Sequence, residues 1–368
     1  MYKRFHGIDL HKRYATVSVR DENGIEVYSI SQCIQFREYV NSLTREDIAV
    51  VEAVNNAFYW ADEIERTGAA CVIIDPYKFK IISESWNKTD KRDSKSLSLA
   101  LWVSIARKEF SLPTIYKPKH GIRELRRLFS QYELLNTQIT QYKNIIQAHL
   151  SENGIALSSD RKEKLLNPRH GLDIFETLEI THTTRICIIM NLYLLWNLFD
   201  QKEILKREIY KAGLPLKEKV KLLISIKGVS PLLALAFLAD VGDISRFKNT
   251  RQLSAYLGVA PTVKSSGGKT RIGSINRHSR DLSRTLFTQS IIHFVSVSPQ
   301  MHDLYESIKE RRGAGRSRIA MLRRLFSIMR RMLLTNEEFR FRDEITYKNK
   351  LVDYEIELIR LENLAKAS

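Results

Sequence analysis

The first 108 residues alternate between short apolar segments with the two-residue period of strands and longer segments with the period of helices. Five segments have the strand pattern: residues 5–10, 15–19, 25–30, 48–53 and 71–75. Three have the helix pattern: residues 36–43, 57–67 and 89–108. The resulting order, β-β-β-α-β-α-β-α, predicts a domain of mixed α and β structure in which helices pack on a sheet.

Four carboxylates occupy strand ends and a helix start in this order. Asp9 lies on the first strand, and Glu52 ends an apolar strand, where a carboxylate is costly to bury without a partner. Asp90 and Asp93 are three residues apart, so they share one face in the first turn of the last helix. Basic residues surround this pair: Lys88, Lys91, Arg92 and Lys95. Hard oxygen ligands suit Mg²⁺, and the surrounding cations suit a polyanion beside it.

Simpler explanations of these residues stay open at this point. Asp9 could cap a turn, and the helix dipole favours carboxylates such as Asp90 and Asp93 at a helix start. Glu52 is the hardest to explain by structure alone. His6 and His11, which flank Asp9, are interpreted as surface or packing histidines, because no further His or Cys at ligand spacing accompanies them.

The charge of the chain predicts a polyanionic partner. The formal net charge is +17 at pH 7, and residues 261–334 alone hold fifteen Lys or Arg against four Asp or Glu. This local excess is the best candidate for a nucleic-acid surface, since a merely solubilising surface would mix the two signs.

The cysteines and the hydropathy predict a soluble protein of a reducing compartment, without contact to a membrane. Cys33, Cys71 and Cys187 are too scattered for a zinc site or a disulfide framework. No apolar segment is long enough to span a bilayer, and the first residues lack the apolar core of a signal peptide.

Residues 113–213 have the pattern of a helical arm. Apolar residues from Leu125 to Ile146 alternate spacings of three and four, a heptad seam of about three repeats. Residues 151–171 are polar and predict a loop, and residues 176–210 predict a second long helix. We expect an antiparallel coiled-coil arm whose seam either closes within the chain or also binds a second protomer.

A second, mostly α-helical globular region begins near residue 214. Residues 222–234 predict a helix, a tight turn and a helix, as in helix-hairpin-helix elements, where turn N–H groups approach a DNA phosphate. Ser230 stands where that pattern has its second glycine, which puts the phosphate contact in doubt.

A Ser-Ser-Gly-Gly segment follows at residues 265–268. Lys264, Lys269 and Arg271 bracket it, which predicts a mobile cationic loop that touches backbone phosphates. The alternative is that Ser265 or Ser266 is a nucleophile. A serine hydroxyl needs a base, cations or a metal for activation, and the segment itself supplies no base.

Further basic residues extend this surface towards the end of the chain. They are Arg277, Arg280 and Arg284 in a helix-rich stretch, and Arg316 and Arg318 in a cationic turn before a basic helix at 319–334. Residues 341–368 predict a C-terminal helical tail with an apolar stripe and uncertain docking.

The order of the first domain resembles the RNase H-like layout of RuvC-type resolvases and many transposases. Six motifs sharpen the resemblance: GIDLHK at 7–12, VEA at 51–53, KTDKRD at 88–93, RFKN at 246–249, YLGVAP at 256–261 and SSGGK at 265–269. Together they are similar to the DEDD transposases of insertion sequences related to the Piv invertase, also called bridge-RNA-guided recombinases. The resemblance covers about residues 4–334. Ser230 and the tail after Leu334 depart from it.

This resemblance implies four parts: a RuvC-like domain at 1–112, a coiled-coil arm at 113–213, a serine transposase domain at 214–340 and a tail at 341–368. It implies that Asp9, Glu52, Asp90 and Asp93 bind Mg²⁺, and that Ser266, or alternatively Ser265, forms a covalent link to DNA. The active site would be shared between protomers of a dimer or tetramer.

The partners implied by the family are donor DNA, target DNA and an element-encoded guide RNA, in the cytoplasm of a bacterial or archaeal cell, at the nucleoid. Two other functions remain open from the residues. The chain could be a RuvC-like metal nuclease or junction resolvase without a covalent intermediate, or an architectural protein that binds nucleic acid.

Overall fold

The computed structural model describes residues 2–82, 90–266, 269–275 and 279–367, with side chains except at 80–82, 90, 91, 262–266, 269–272, 274, 362 and 364–367. The chain divides into two compact units, residues 1–117 and 118–368. Among the helices of the described ranges, none is long and apolar enough to cross a membrane.

Five strands of the first unit form one mixed sheet in the order β3-β2-β1-β4-β5. The strands are β1 (Arg4–Leu10), β2 (Ala15–Arg20), β3 (Glu26–Cys33), β4 (Asp47–Glu52) and β5 (Ala70–Ile74). β4 is parallel to both β1 and β5, whereas β2 is antiparallel to β1 and β3. All five predicted strands are confirmed, with small shifts at their ends.

The helices of this unit are α1 (Phe36–Asn41), α2 (Ala57–Arg66), α3 (Pro76–Ile82) and α4 (Asp90–Trp102), and α4 continues as a π-helical segment, Val103–Arg107. The sequence pattern does not predict α3. Asp75 nevertheless accepts a hydrogen bond from the Tyr77 N–H (3.0 Å), and Pro76 suits the first helical position. Thr89, the predicted cap of α4, lies outside the described residues.

Helices cover both faces of the sheet, which explains the uninterrupted apolar run of β4. Successive strand residues point to opposite faces. Ala49 and Val51 therefore pack in the cluster that contains α1 and α2. Ile48 and Val50 pack in the cluster with Leu97 of α4.

A buried ionic network fixes the start of β4 against β1. Asp47 is fully buried and accepts hydrogen bonds from Arg4 (2.6 and 2.9 Å) and from His6 Nε2 (3.1 Å). Burial opposes ionisation of Asp47, but the hydrogen bonds from His6, Arg4 and Thr44 hold the pKa of its carboxyl group far below the ordinary value. His6 thus has the packing role predicted for it.

The second unit is mostly helical, as predicted. Its helices are α5 (His120–Glu152), α6 (Ser159–Leu166), α7 (Gly171–Glu176), α8 (His182–Ala212), α9 (Lys217–Ile224), α10 (Pro231–Val241), α11 (Thr250–Tyr256), α12 (Leu282–Val295), α13 (Pro299–Arg312), α14 (Ala314–Thr335) and α15 (Glu344–Ala367), with short 3-10 turns at Leu214–Leu216 and Ile244–Arg246. Its two strands, β6 (Pro261–Ser266) and β7 (Lys269–Ile275), form an antiparallel hairpin.

The long helices α5 and α8 pack against each other within the chain. Ile139 and Ile146 of the heptad seam share a buried cluster with Ile188 and Leu192 of α8. The predicted loop at 151–171 is wrong, because it contains α6. Polar composition hides this helix, whose Leu165 is fully buried in the same cluster.

The C-terminal helix α15 docks on the turn between α9 and α10. Tyr354, Leu358 and Leu361 are buried in the main core of the unit. Lys350 Nζ donates hydrogen bonds to the carbonyl oxygens of Ile224, Ile226 and Val229, at 2.6, 2.8 and 3.1 Å. Burial lowers the pKa of Lys350 to about 8, so the ammonium group stays protonated at neutral pH and can supply all three donors.

We expect Asp47→Asn to lower the free energy of unfolding of the first unit by about 2 kcal/mol, because an amide accepts weaker hydrogen bonds than a carboxylate. A depressed pKa stabilises the fold fully above the ordinary Asp pKa, and this stabilisation declines progressively as the pH falls from there towards the lower pKa of the folded state. The difference between parent and variant should therefore shrink below about pH 4. Urea titrations across this range, read by hydrogen exchange of β1 and β4, measure it.

Glu46→Gln is the matched control, since the Lys3–Glu46 pair is exposed and should contribute little. Equal effects of the two substitutions at neutral pH would contradict the role given to Asp47.

Candidate nucleic-acid interface and acidic site

Asp9 and Glu52 lie at the carboxyl ends of two neighbouring parallel strands. Ile8 of β1 pairs with Val51 of β4, so the next residue of each strand occupies the same level of the sheet. Both side chains are partly buried. The backbone therefore brings this pair together at one edge, as the strand pattern predicts.

α4 crosses directly over β1 at Gly7. A Cβ atom on Gly7 would lie 2.2 Å from the carbonyl oxygen of Ser94 and 2.3 Å from the amide nitrogen of Ser98, so only glycine allows this approach. Further along the helix, Trp102 Nε1 donates a hydrogen bond to the carbonyl oxygen of Glu22 (3.0 Å). Glu22 lies just past the end of β2, and this end of β2 pairs with the start of β1. α4 thus runs antiparallel to β1.

It follows that α4 begins towards the sheet edge that carries Asp9 and Glu52. Its first turn holds Asp90 and Asp93, and the Asp93 side chain is partly buried. Among the described side chains, which do not include Asp90, no three carboxylate, imidazole or thiol groups form a cluster that could hold a metal ion. Lys88 lies outside the described residues, as do the side chain of Lys91 and those of the hairpin cations Lys264, Lys269 and Arg271.

His11 belongs to this acidic edge, which the sequence interpretation misses. Its Nε2 atom is 3.1 Å from Asp9 Oδ2, and its ring lies 4.5 Å from that of Tyr14, centroid to centroid. Its spacing of two residues from Asp9 is the only signal of this contact in the sequence.

Ser265 and Ser266 of the Ser-Ser-Gly-Gly segment lie at the end of β6, so the loop predicted for these two residues is wrong. Alternation in β6 and β7 is weak in the sequence, and the small residues hide it. Ser265 pairs with Thr270, and Ser266 pairs with Lys269 as the last residue of β6. Gly267 and Gly268 are outside the described residues, and so is Arg277.

Two arginines hold the base of this hairpin. Arg284 Nη1 of α12 donates to the carbonyl oxygen of Gly258 (3.2 Å). Arg323 of α14 donates to the carbonyl oxygen of Val259 through Nε (3.2 Å) and Nη2 (2.9 Å). The chain after the hairpin is tied to the same place, since the Arg280 N–H donates to the carbonyl oxygen of Tyr256 (2.9 Å).

An arginine-lined groove of about 1290 Å³ opens beside the hairpin base. Five guanidinium groups line it, from Arg284, Arg311, Arg312, Arg316 and Arg323, with apolar side chains of α13 and α14 between them. Among the described residues that line the groove, none is a carboxylate. Such a surface suits the phosphates of a polyanion.

The groove includes two of the predicted cations, Arg284 and Arg316. Arg318 is exposed on α14, and Arg92 is exposed on α4. Arg311 and Arg312 belong to the cationic turn predicted at 311–318. Arg323 is missed by residue-level prediction, although it falls in the basic stretch at 261–334. The predicted cationic turn is mostly helical, because α13 reaches Arg312 and α14 begins at Ala314.

Ser230, the departure in the helix-turn-helix segment, has a structural role. Its hydroxyl accepts the Leu233 N–H and caps α10. Gly228 in the turn has φ of +84°, a backbone conformation that favours glycine.

The arginine-lined groove suits the phosphates of a nucleic acid, and it lies beside the hairpin that carries the two serines. Residues 220–306, which include the hairpin, match the family model described as "Transposase IS116/IS110/IS902 family".

Curated relatives extend the similarity to most of the chain. It is 25% identical to the transposase for insertion sequence element IS1111A of Coxiella burnetii, over 91% of this chain and 90% of the relative. It is 24% identical to a probable family 20 transposase of Pseudomonas aeruginosa, over 76% and 80%. Residues 220–306 are thus similar to that family model, and most of the chain is similar to transposases.

Proposed function

We propose that this chain is the transposase of an insertion sequence and that it cuts and rejoins DNA through a serine nucleophile. The observation that carries the proposal is the arginine-lined groove at the base of the hairpin that bears Ser265 and Ser266. A DNA backbone in this groove would run next to the hairpin. Arg284 and Arg323 line the groove and also hold the base of the hairpin in place. DNA binding and the orientation of the serine would therefore depend on the same side chains.

In this proposal Ser266 Oγ attacks a DNA phosphorus, with Ser265 as the alternative. An Oγ–P bond forms and the bond from phosphorus to a deoxyribose oxygen breaks. The hydroxyl proton passes to water, and the departing oxygen takes up a proton. The groove arginines would neutralise phosphate charge during this exchange.

The acidic edge of the first unit, with its RuvC-like order of elements, is proposed to hold Mg²⁺ through Asp9, Glu52, Asp90 and Asp93. Carboxylates at one end of the sheet suit this hard cation. Bound Mg²⁺ would polarise the phosphodiester. His11 would orient Asp9 through the contact between them. The carboxylates and the serine would come from different protomers of a dimer or tetramer in the bacterial or archaeal cytoplasm.

A guide RNA encoded by the element is the proposed source of sequence choice. Five arginines line the groove, and Arg284 among them also pairs with Asp281 (3.1 Å); such a lining fits backbone contacts, which carry no sequence information. Base pairing between the RNA and the DNA would supply the sequence information.

The second candidate is a metal-dependent nuclease of RuvC type. The acidic edge at the sheet end favours it, since those carboxylates could serve cleavage by water without a covalent intermediate.

We expect Ser266→Ala to abolish a covalent protein–DNA adduct while DNA binding persists, because only the nucleophile is removed. Denaturing gels with labelled element-end DNA measure the adduct. Ser265→Ala is the matched control and should retain it. Loss in Ser265→Ala alone would identify Ser265 instead. Strand cleavage without any adduct in the parent would favour the nuclease.

Asp90→Asn should reduce both cleavage and adduct formation by at least about a hundredfold, the scale of losing a group that stabilises developing charge. Cleavage assays with Mg²⁺ and with EDTA measure this. Glu38→Gln removes an exposed carboxylate of α1 and should change nothing. Undiminished cleavage by Asp90→Asn would end the proposed role of the acidic edge.

Arg312→Gln and Arg316→Gln should each weaken DNA binding and lower the slope of log affinity against log salt by about one. Fluorescence anisotropy across a salt series measures the slope. Arg127→Gln on α5 is the control, since its side chain is 78% exposed outside the groove. Unchanged slopes for both groove variants would show that phosphates bind elsewhere.

A further inference from the structure

The C-terminal helix α15 has apolar side chains on two sides. Its inner stripe, which includes Tyr354 and Leu358, is buried in the core of the second unit. Its outer stripe is exposed and consists of Ile345 (76%), Val352 (53%), Ile356 (57%) and Ile359 (58%). Val352, Ile356 and Ile359 are spaced by four and three residues, so they line one face of the helix.

The polar residues of this outer face make it complementary to itself. Consider two copies of α15 that run antiparallel, with a two-fold axis at Ile356. Residues whose distances before and after position 356 are equal, or differ by one, then lie at about the same level of the pair. Val352 lies beside Ile359, Asp353 beside Arg360, and Asn349 faces Asn363.

This register places each exposed charge near the centre next to its opposite. Asp353 and Arg360 are both exposed. Arg360 is 66% exposed, and its ion pair among the described residues is a long one, 3.5 Å to Glu357, which leaves room for a second partner.

We propose that the outer face of α15 is a self-association surface, on which a second copy of this chain docks antiparallel about Ile356. A two-fold contact of this kind uses the same residues on both copies. One helix pair is a small interface, so we expect dissociation in the micromolar range. The proposal does not require that the chain is a transposase.

The direct test is cysteine crosslinking of the full chain. Ile356→Cys puts the thiol on the two-fold axis, and mild oxidation should give a disulfide-linked dimer on a non-reducing gel. Ile345→Cys is the matched control: it is more exposed but lies off the axis, so it should crosslink no more than the unsubstituted chain with its three cysteines. Crosslinking at both positions would indicate parallel pairing, and crosslinking at neither would overturn the proposal.

Charge exchange tests the register. Asp353→Arg and Arg360→Asp should each weaken self-association about tenfold by sedimentation velocity, because each creates like-charge contacts at two symmetric places. The double variant should restore the parent value. All sites are on the exposed face, so circular dichroism should show the parent fold. The proposal would be refuted if the double variant self-associated as weakly as the single variants, or if the parent chain were monomeric at every concentration.

Discussion

Guanidinium groups hold the main chain between the core helix α10 and the hairpin, and the position of the serines depends on these contacts. Arg126 donates to the carbonyl oxygens of Ala239 (2.7 Å) and Asp240 (2.8 Å), where α10 ends. Arg330 donates a hydrogen bond to the carbonyl oxygen of Phe247 (2.7 Å). With Arg284 and Arg323, side chains from α5, α12 and α14 thus satisfy carbonyls that secondary structure leaves unpaired.

This use of arginine changes what the positive charge means. A basic stretch in a sequence suggests a surface for a polyanion, but part of the stretch at 261–334 serves the fold. Arg330 is committed to main-chain carbonyls, whereas Arg312 and Arg316 are exposed in the groove. Arg284 and Arg323 have both roles, which couples the groove to the hairpin.

Local patterns predict the first unit well, because strand alternation and chain breaks are set by near neighbours. The placement of Asp9 and Glu52 at one level of the sheet follows from the ends of two neighbouring strands that lie at the same sheet edge. The same logic fails where contacts are distant in sequence. Lys350 donates a hydrogen bond to the carbonyl oxygen of Ile224, and Arg323 donates to that of Val259. No sequence periodicity connects the residues of either pair. The hairpin and α6 are missed because polar and small residues form them.

The position of Lys350 bears on how the protein is made. The turn between α9 and α10 has three carbonyl oxygens whose partner, the Lys350 ammonium group, is translated more than a hundred residues later. During synthesis, the unit that carries the hairpin therefore lacks the last layer of its core until α15 leaves the ribosome. Ribosome-bound chains that stop short of α15 would expose apolar surface to chaperones, and the serine-bearing unit would mature only after α15 has been made.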